Sequence, residues 1–260
     1  MTTTTTDLKL AAWQVRYQQR SFWRNKRAAF FSIAFPALFL VIFGGLNGGH
    51  LKVRGDLSFV DFYTPSIMAY AVVLICFNST ALIVATLRER DVLKRVRTTP
   101  IPGVVYGAGI VGSMAIVLLI AIGVLFVIGV PLYGAHVPGA KTIGMLLTLI
   151  LGAAVFTTLG IAAAKLIGKP ENGAGLITII TLPMIFLSNI WFPIDGAPQW
   201  VQDIAKVMPL RPLADGLQSA FDPRFGGTAI MWRDLIPLLI WLTIGAVLMT
   251  WYLRSLNRRA

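Results

Sequence analysis

Stretches 28–46, 63–87, 104–130, 142–164, 174–192 and 235–253 are almost wholly apolar, and the polar residues gather between them. Each holds about 19 to 27 residues, enough to cross a hydrocarbon core of about 30 Å with some tilt. The pattern predicts an all-α integral membrane protein, one transmembrane domain over 1–260 with six spans. An even number of crossings puts both termini on one side. Pro36 and Pro183 fall mid-span and should kink their helices.

The segments between the spans carry patterns of their own. In 1–27, the residues Lys9, Trp13, Arg16, Tyr17, Arg20, Arg24 and Arg27 project within about 120° of one another on a helix. Such a stripe suits an interfacial helix at headgroup level; a stop-transfer charge cluster would use the same residues. The stretch 193–234 contains five prolines. Within it Trp200, Ile204 and Val207/Met208 recur at helical spacing, with Pro198 to start a helix and Pro209 to stop it. About ten residues rise about 15 Å, half a bilayer. A second short apolar helix fits 212–221. We expect a re-entrant pair, allowed only where its ends are buried in protein or line a wet cavity; a helix lying flat outside is the alternative.

Stretch 88–97 holds five basic and two acidic residues. Val92, Leu93 and Val96 form one small apolar patch ringed by Arg90, Asp91, Lys94, Arg95 and Arg97, and Asp91 can pair with Lys94 or Arg95. Pro100 and Pro102 then stop the helix. A helix this short needs packing from elsewhere, and an apolar knob with a charged rim is the general form of a docking element. A plain basic loop would explain the arginines but not the patch.

Composition sharpens the picture. Only 13% of residues are charged and 56% are hydrophobic, against about 25% charged in soluble domains. Of the 23 Lys and Arg, 16 fall on the side holding the termini, which also has 4 of the 11 acidic residues. The positive-inside rule therefore places both termini in the cytoplasm. Topology accounts for the whole net charge of +12, so no nucleic-acid partner is expected. Cys76 is the sole cysteine and leaves no disulfide or Cys/His metal site.

The stretch "LRERDVLKRVRTTPIPG" resembles the segment after the second span in type-2 permeases of ATP-binding cassette (ABC) exporters, through Glu89, Leu93-Lys94-Arg95 and Thr99-Pro100. Asp91 stands where the family commonly has glycine. "WFPIDGAPQWVQDIAKVMPLRPLADGLQSAF" is similar to the family's block beyond the fifth span, and "RNKRAAFFSIAFPALFLVIFGG" fits its first span. The closest flavour is the drug-resistance branch rather than the lipid-linked glycan branch. The resemblance implies a permease of the inner cell membrane that works as a dimer, with a second copy of itself or with a second permease, beside a separate ABC ATPase that carries ATP and Mg. It implies a cytoplasmic coupling helix of Glu89, Asp91, Val92, Leu93, Lys94, Arg95, Val96 and Arg97. An extracellular gate would include Phe192, Pro193, Trp200, Ile204 and Pro209. The implied function is alternating-access export of a small hydrophobic or amphiphilic, drug- or lipid-like substrate. A lipid-linked glycan permease and an ATP-independent secondary carrier are the alternatives.

What is missing narrows the chemistry. A phosphate-cradling G-x-x-x-x-G-K-[ST] loop is absent; Gly168-Lys169 is followed by Pro170. No cofactor is expected in this chain, and no enzyme activity. The interiors of the six stretches lack ionisable residues, unlike ion-coupled carriers. His50 and His136 fall in loops and are expected to be solvated. Asn78, Ser79, Thr80, Ser188 and Asn189 could line a substrate path in the lipid-surrounded bundle. More often such residues bond between helices, worth about 0.6 to 2 kcal/mol each. Gly103/Gly107 and Ala108/Gly112 would let the third span approach a neighbour closely.

Overall fold

The computed structural model describes residues 3–47, 51–53, 55–89, 103–168, 170–191, 194, 196–226 and 232–257. Among them are nine helices: α1 (Thr3–Arg24), α2 (Lys26–Asn47), α3 (Phe59–Glu89), α4 (Gly103–Tyr133), α5 (Thr142–Ala163), α6 (Pro170–Phe186), α7 (Gln199–Val207), α8 (Leu210–Phe221) and α9 (Trp232–Asn257). A small hairpin, β1 (Lys52–Val53) with β2 (Leu57–Ser58), precedes α3. The protein is an all-α integral membrane protein.

Stretches within α2, α3, α4 and α9, and one joining α5 to the turn before it, are long and apolar enough to cross a membrane. The sixth apolar element, α6, is a shorter helix of 17 residues, about 25 Å long. The expected fifth span, 174–192, is thus displaced toward the N-terminus. Pro170 starts α6, since a proline's fixed φ suits a first helical position. The helix stops at Phe186 because Leu187 to Asn189 turn away, with Asn189 at φ 62°.

Helix α3 forms the axis of the bundle. Every residue from Val60 to Val73 is buried, in keeping with a sequence apolar on all sides. It starts earlier than expected, because the Val60 N–H donates to the Ser58 hydroxyl at 3.3 Å and caps the helix there. That brings Asp61 inside it. Midway, Val73–Ser79 takes π-helical form, and the Ser79 hydroxyl donates to the Leu74 carbonyl at 3.0 Å, five residues back. Helix α5 lies against this wide turn at Gly160. A Cβ there would sit 2.8 Å from the Phe77 carbonyl oxygen and 3.0 Å from that of Cys76. Only glycine permits that approach.

The other helices pack around this axis. Helix α2 runs beside α3 and α4, α9 runs along α5, and α6 rests on the last turns of α3. Helix α1 lies on α4, with Gln14 against Gly109 and Val15 against Gly112; the Gln19 amide donates to the Ser113 carbonyl at 2.6 Å. Gln18 and Phe22 are buried there, while Lys9, Trp13, Arg16, Tyr17, Arg20 and Arg24 face outward. Of the small residues singled out in the third span, Gly112 receives α1, whereas a Cβ at Gly107 would meet nothing within 4 Å. The end of α3, the start of α4 and the end of α5 share one end of the bundle with α1, here termed the basic end.

Gly160→Ala forces a Cβ into backbone that cannot step aside, and overpacking of this kind costs about 1–3 kcal/mol. A clearly lower melting temperature in detergent is expected. Gly175→Ala, where a Cβ meets nothing within 4 Å, should leave stability unchanged or slightly raised.

Candidate coupling end and gate

Helix α3 reaches the basic end at Arg88 and Glu89. The Arg88 guanidinium donates to the Ala164 carbonyl at 3.1 Å, to the Gly168 carbonyl at 2.8 Å and to the Ile167 carbonyl. A helix leaves its last carbonyls without intrahelical partners, and a cation is favoured at that negative end. One side chain thus caps α5 and clamps α3 to the α5–α6 turn. Glu89 is exposed beside it. The remaining expected coupling residues, Asp91, Val92, Leu93, Lys94, Arg95, Val96 and Arg97, lie outside the described residues.

At the far end, α7 and α8 form a helical hairpin. Helix α8 is core: Leu210, Leu213, Leu217 and Phe221 are buried between α3 and α5, and Gly152 on α5 makes room for Leu213. Helix α7 is peripheral. Its apolar stripe, Trp200, Ile204 and Val207, faces away from the fold, and Ala205 alone is buried. The Trp241 indole N–H, nine positions into α9, donates to the Val207 carbonyl at 3.1 Å. The α7–α8 tip therefore lies at the level of Trp241 rather than at the first turn of α9. Pro209, at the tip, is buried and caps α8; Phe192 and Pro193 lie outside the described residues.

A buried polar chain ties this hairpin to the rest. The Gln218 amide donates to the Ser66 hydroxyl at 2.8 Å and to the Asn189 carbonyl at 3.0 Å. The Asn189 amide donates to Asp215 at 3.2 Å, and its side-chain oxygen accepts from the Ile194 N–H at 3.0 Å. Arg211 reaches Asp215 at 3.4 Å and the Gln202 carbonyl at 3.1 Å. Elements α3, α7, α8 and the turn after α6 are thereby joined. Trp191 adds an aromatic contact, its ring centroid 4.8 Å from Phe39, 5.6 Å from Tyr70 and 5.8 Å from Phe43.

Ion pairs close the rim. His136 is exposed, as expected of a solvated loop residue, and its backbone N–H and its Nδ1 also each lie 2.8 Å from a carboxylate oxygen of Asp61. Asp61 is 2% exposed, so the His136 loop has folded back over the start of α3. The Lys141 ammonium donates to the Asp222 carbonyl at 2.5 Å, and Arg224 brackets the Asp222 carboxylate at 2.7 and 2.9 Å. Burial pushes the Asp222 carboxyl up, but the hydrogen bonds and charge of Arg224, with Lys141 behind, outweigh it and hold the group below the usual carboxylate range.

The remaining polar candidates occupy two levels. Ser79 lies 3.4 Å from Ser32 on α2. The Asn78 side-chain oxygen and the Thr80 hydroxyl are buried without a hydrogen-bond partner among the described residues. The Ser188 hydroxyl donates to the Met184 carbonyl at 2.5 Å; Ser188 and Asn189 are both fully buried. No group of three metal-ligating side chains occurs among the described residues. Sequence reasoning missed Arg88, Ser66, Trp191, Asp215 and Gln218 as site residues. For Asp215 and Gln218 a signal existed, two polar residues three apart on one side of an apolar helix.

Gln218→Ala strands buried partners on two elements and should cost about 1–3 kcal/mol, measured by denaturant unfolding followed by tryptophan fluorescence. Gln199→Ala on the exposed side of α7 should change stability by less than about 0.5 kcal/mol. The Asp222 pairing makes a pH prediction. A carboxyl held low in the folded state stabilises above its unfolded value of about 3.9, and that contribution fades as pH falls through the folded value. The melting temperature of the natural chain should exceed that of Asp222→Asn at pH 7, and the difference should shrink toward pH 3.

Comparison with known proteins places this architecture. Residues 11–221 match the ABC-2 type transporter family. The chain is 28% identical to the daunorubicin resistance ABC transporter permease protein DrrB1 of Streptomyces coeruleorubidus over 77% of this chain and 69% of that protein. It is 22% identical to YbhR of Escherichia coli strain K12, named a probable multidrug ABC transporter permease, over 75% of this chain and only 53% of YbhR. Against the inner membrane transport permease YadH of the same strain, identity is 21% over 71% of each chain. With the family match covering most of its length, the chain belongs to the ABC-2 type transporter family.

Proposed function

We propose that this chain is the permease subunit of an ABC exporter that moves a small hydrophobic or amphiphilic substrate outward, driven by a separate ATPase. The observation that carries the reading is α3 itself. One unbroken helix runs from the Ser66–Gln218 bond of the far-end network to the Arg88 clamp. The charged stretch 89–97 continues directly from that clamp. A push on this stretch is delivered to the α5–α6 turn through Arg88 and to the gate through Ser66. On this reading Glu89, Asp91, Val92, Leu93, Lys94, Arg95, Val96 and Arg97 dock on the ATPase, which holds ATP and Mg. Trp191, Phe192, Pro193, Trp200, Ile204 and Pro209 form the gate at the external face, with both termini cytoplasmic.

The names of the relatives, daunorubicin resistance and multidrug transport, support a drug-like cargo, as does the lack of ionisable side chains in the middle of the described spans. Asn78 and Thr80, with polar atoms on α3 that have no partner among the described residues, are the residues proposed to meet that cargo, and Ser79 lies between them. A second copy of the chain completes the path. Export uses no chemistry of this chain's own.

Arg88→Gln should leave the ATPase bound and hydrolysing, while substrate export falls about tenfold, within the range of ordinary coupling energies. Export in inverted vesicles at the natural rate would remove the clamp from the mechanism. Changing Val92, Leu93 and Val96 together to Asp should abolish co-purification with the ATPase. Unchanged association and unchanged ATP hydrolysis would count against the docking role.

A further inference from the structure

Helix α6 rests on α3 and stands apart from α9, and the gap between them is a groove of about 470 Å³. That volume lies within the range of about 300–1,000 Å³ typical of sites for small ligands. Its walls are Phe156 and Leu159 on α5, Ile180 and Met184 on α6, and Trp241 and Leu248 on α9. At one end Met208 and Pro209 of the α7–α8 tip close it. At the other, the Lys165 ammonium stands 3.2 Å over the Trp251 ring, and no carboxylate pairs with Lys165 among the described residues.

We propose that this groove binds one acyl chain of an anionic phospholipid, with Lys165 holding the headgroup phosphate. Three observations carry the assignment. The first is length: Trp241 and Trp251 are ten residues apart on α9, about 15 Å of helix. That is half of a hydrocarbon core of about 30 Å, the depth of one leaflet. The second is polarity, since the groove is apolar along its length and carries a cation only where it meets the basic end. A lysine that rises along apolar surface to the interface keeps its ammonium where phosphates lie, and Trp251 holds it there through its ring face. The third is access. Leu248, Trp251 and Leu166 are exposed at the groove's edge, so a lipid can enter sideways from the bilayer without any opening of the bundle. A mobile transport substrate would need no such headgroup anchor.

The inference rests on the membrane setting alone and stands whether or not the export reading holds. The full chain, extracted into detergent with equal amounts of phosphatidylglycerol and phosphatidylcholine, would be examined by native mass spectrometry. One retained phosphatidylglycerol per chain is expected. Lys165→Gln should reduce the preference over phosphatidylcholine about fivefold, the effect of one lysine near an anionic surface, and Lys165→Arg should restore it. Leu248→Trp fills the groove and should remove the bound lipid of either kind while the melting temperature in lipid-free detergent stays unchanged. Equal retention of both lipids by the natural chain, or an unaltered adduct in Leu248→Trp, would overturn the proposal. So would a change in Leu248→Trp confined to the dimer fraction, which would make the groove a contact between copies.

Discussion

A buried backbone N–H or C=O must find its partner inside the protein, and the tip between α7 and α8 has to meet that demand for two helices at once. Two helices end there, and each would normally leave polar groups bare. The tip meets the demand with few parts. The Trp241 indole takes the Val207 carbonyl, Arg211 takes that of Gln202, and the Met208 N–H turns back to Ala205. Pro209 and Pro212 bring no N–H at all to the start of α8. With its ends satisfied, α8 is free to bury Leu213 and Leu217 between α3 and α5.

That insertion makes α3 the shared partner of the whole fold. On one side it bonds the hairpin through Ser66; on another its π segment takes the backbone of α5 at Gly160. A π turn inside an α-helix is a costly irregularity that tends to mark functional places. Here it sits at the level of Asn78 and Thr80, whose polar atoms have no partner among the described residues. The irregular turn, the close glycine and these polar atoms coincide midway between the Arg88 and Ser66 bonds of α3.

The basic end shows a related economy. Arg88 serves α5 as a cap and α3 as a clamp, so the charged stretch that follows begins from a fixed point. Nearby, α1 packs its mixed face on Gly109 and Gly112 and leaves its cationic, aromatic stripe outward. Positive charge is thus sorted by task. Arg88 is spent inside on carbonyls, Lys165 stands at the mouth of an apolar groove, and the α1 residues face the surroundings.

Much of this was legible in one dimension. The long apolar runs, the sorting of charge between the two ends, the outward stripe of α1 and the two short helices bounded by Pro198 and Pro209 all follow from local composition and period, which the chain displays residue by residue. The partners were not legible. Arg88 meets a carbonyl 76 positions away and Gln218 a hydroxyl 152 positions away, and no local period records such a meeting. For the same reason the early stop of α6 at Phe186 could not be read from hydropathy, because the apolar run continues to Trp191 and the chain turns only where Asn189 finds Asp215 and the Gln218 amide. Local pattern decided which segments are helices and which of their faces are greasy. Only packing decided which polar atom answers which, since satisfying a buried group depends on what the fold brings beside it.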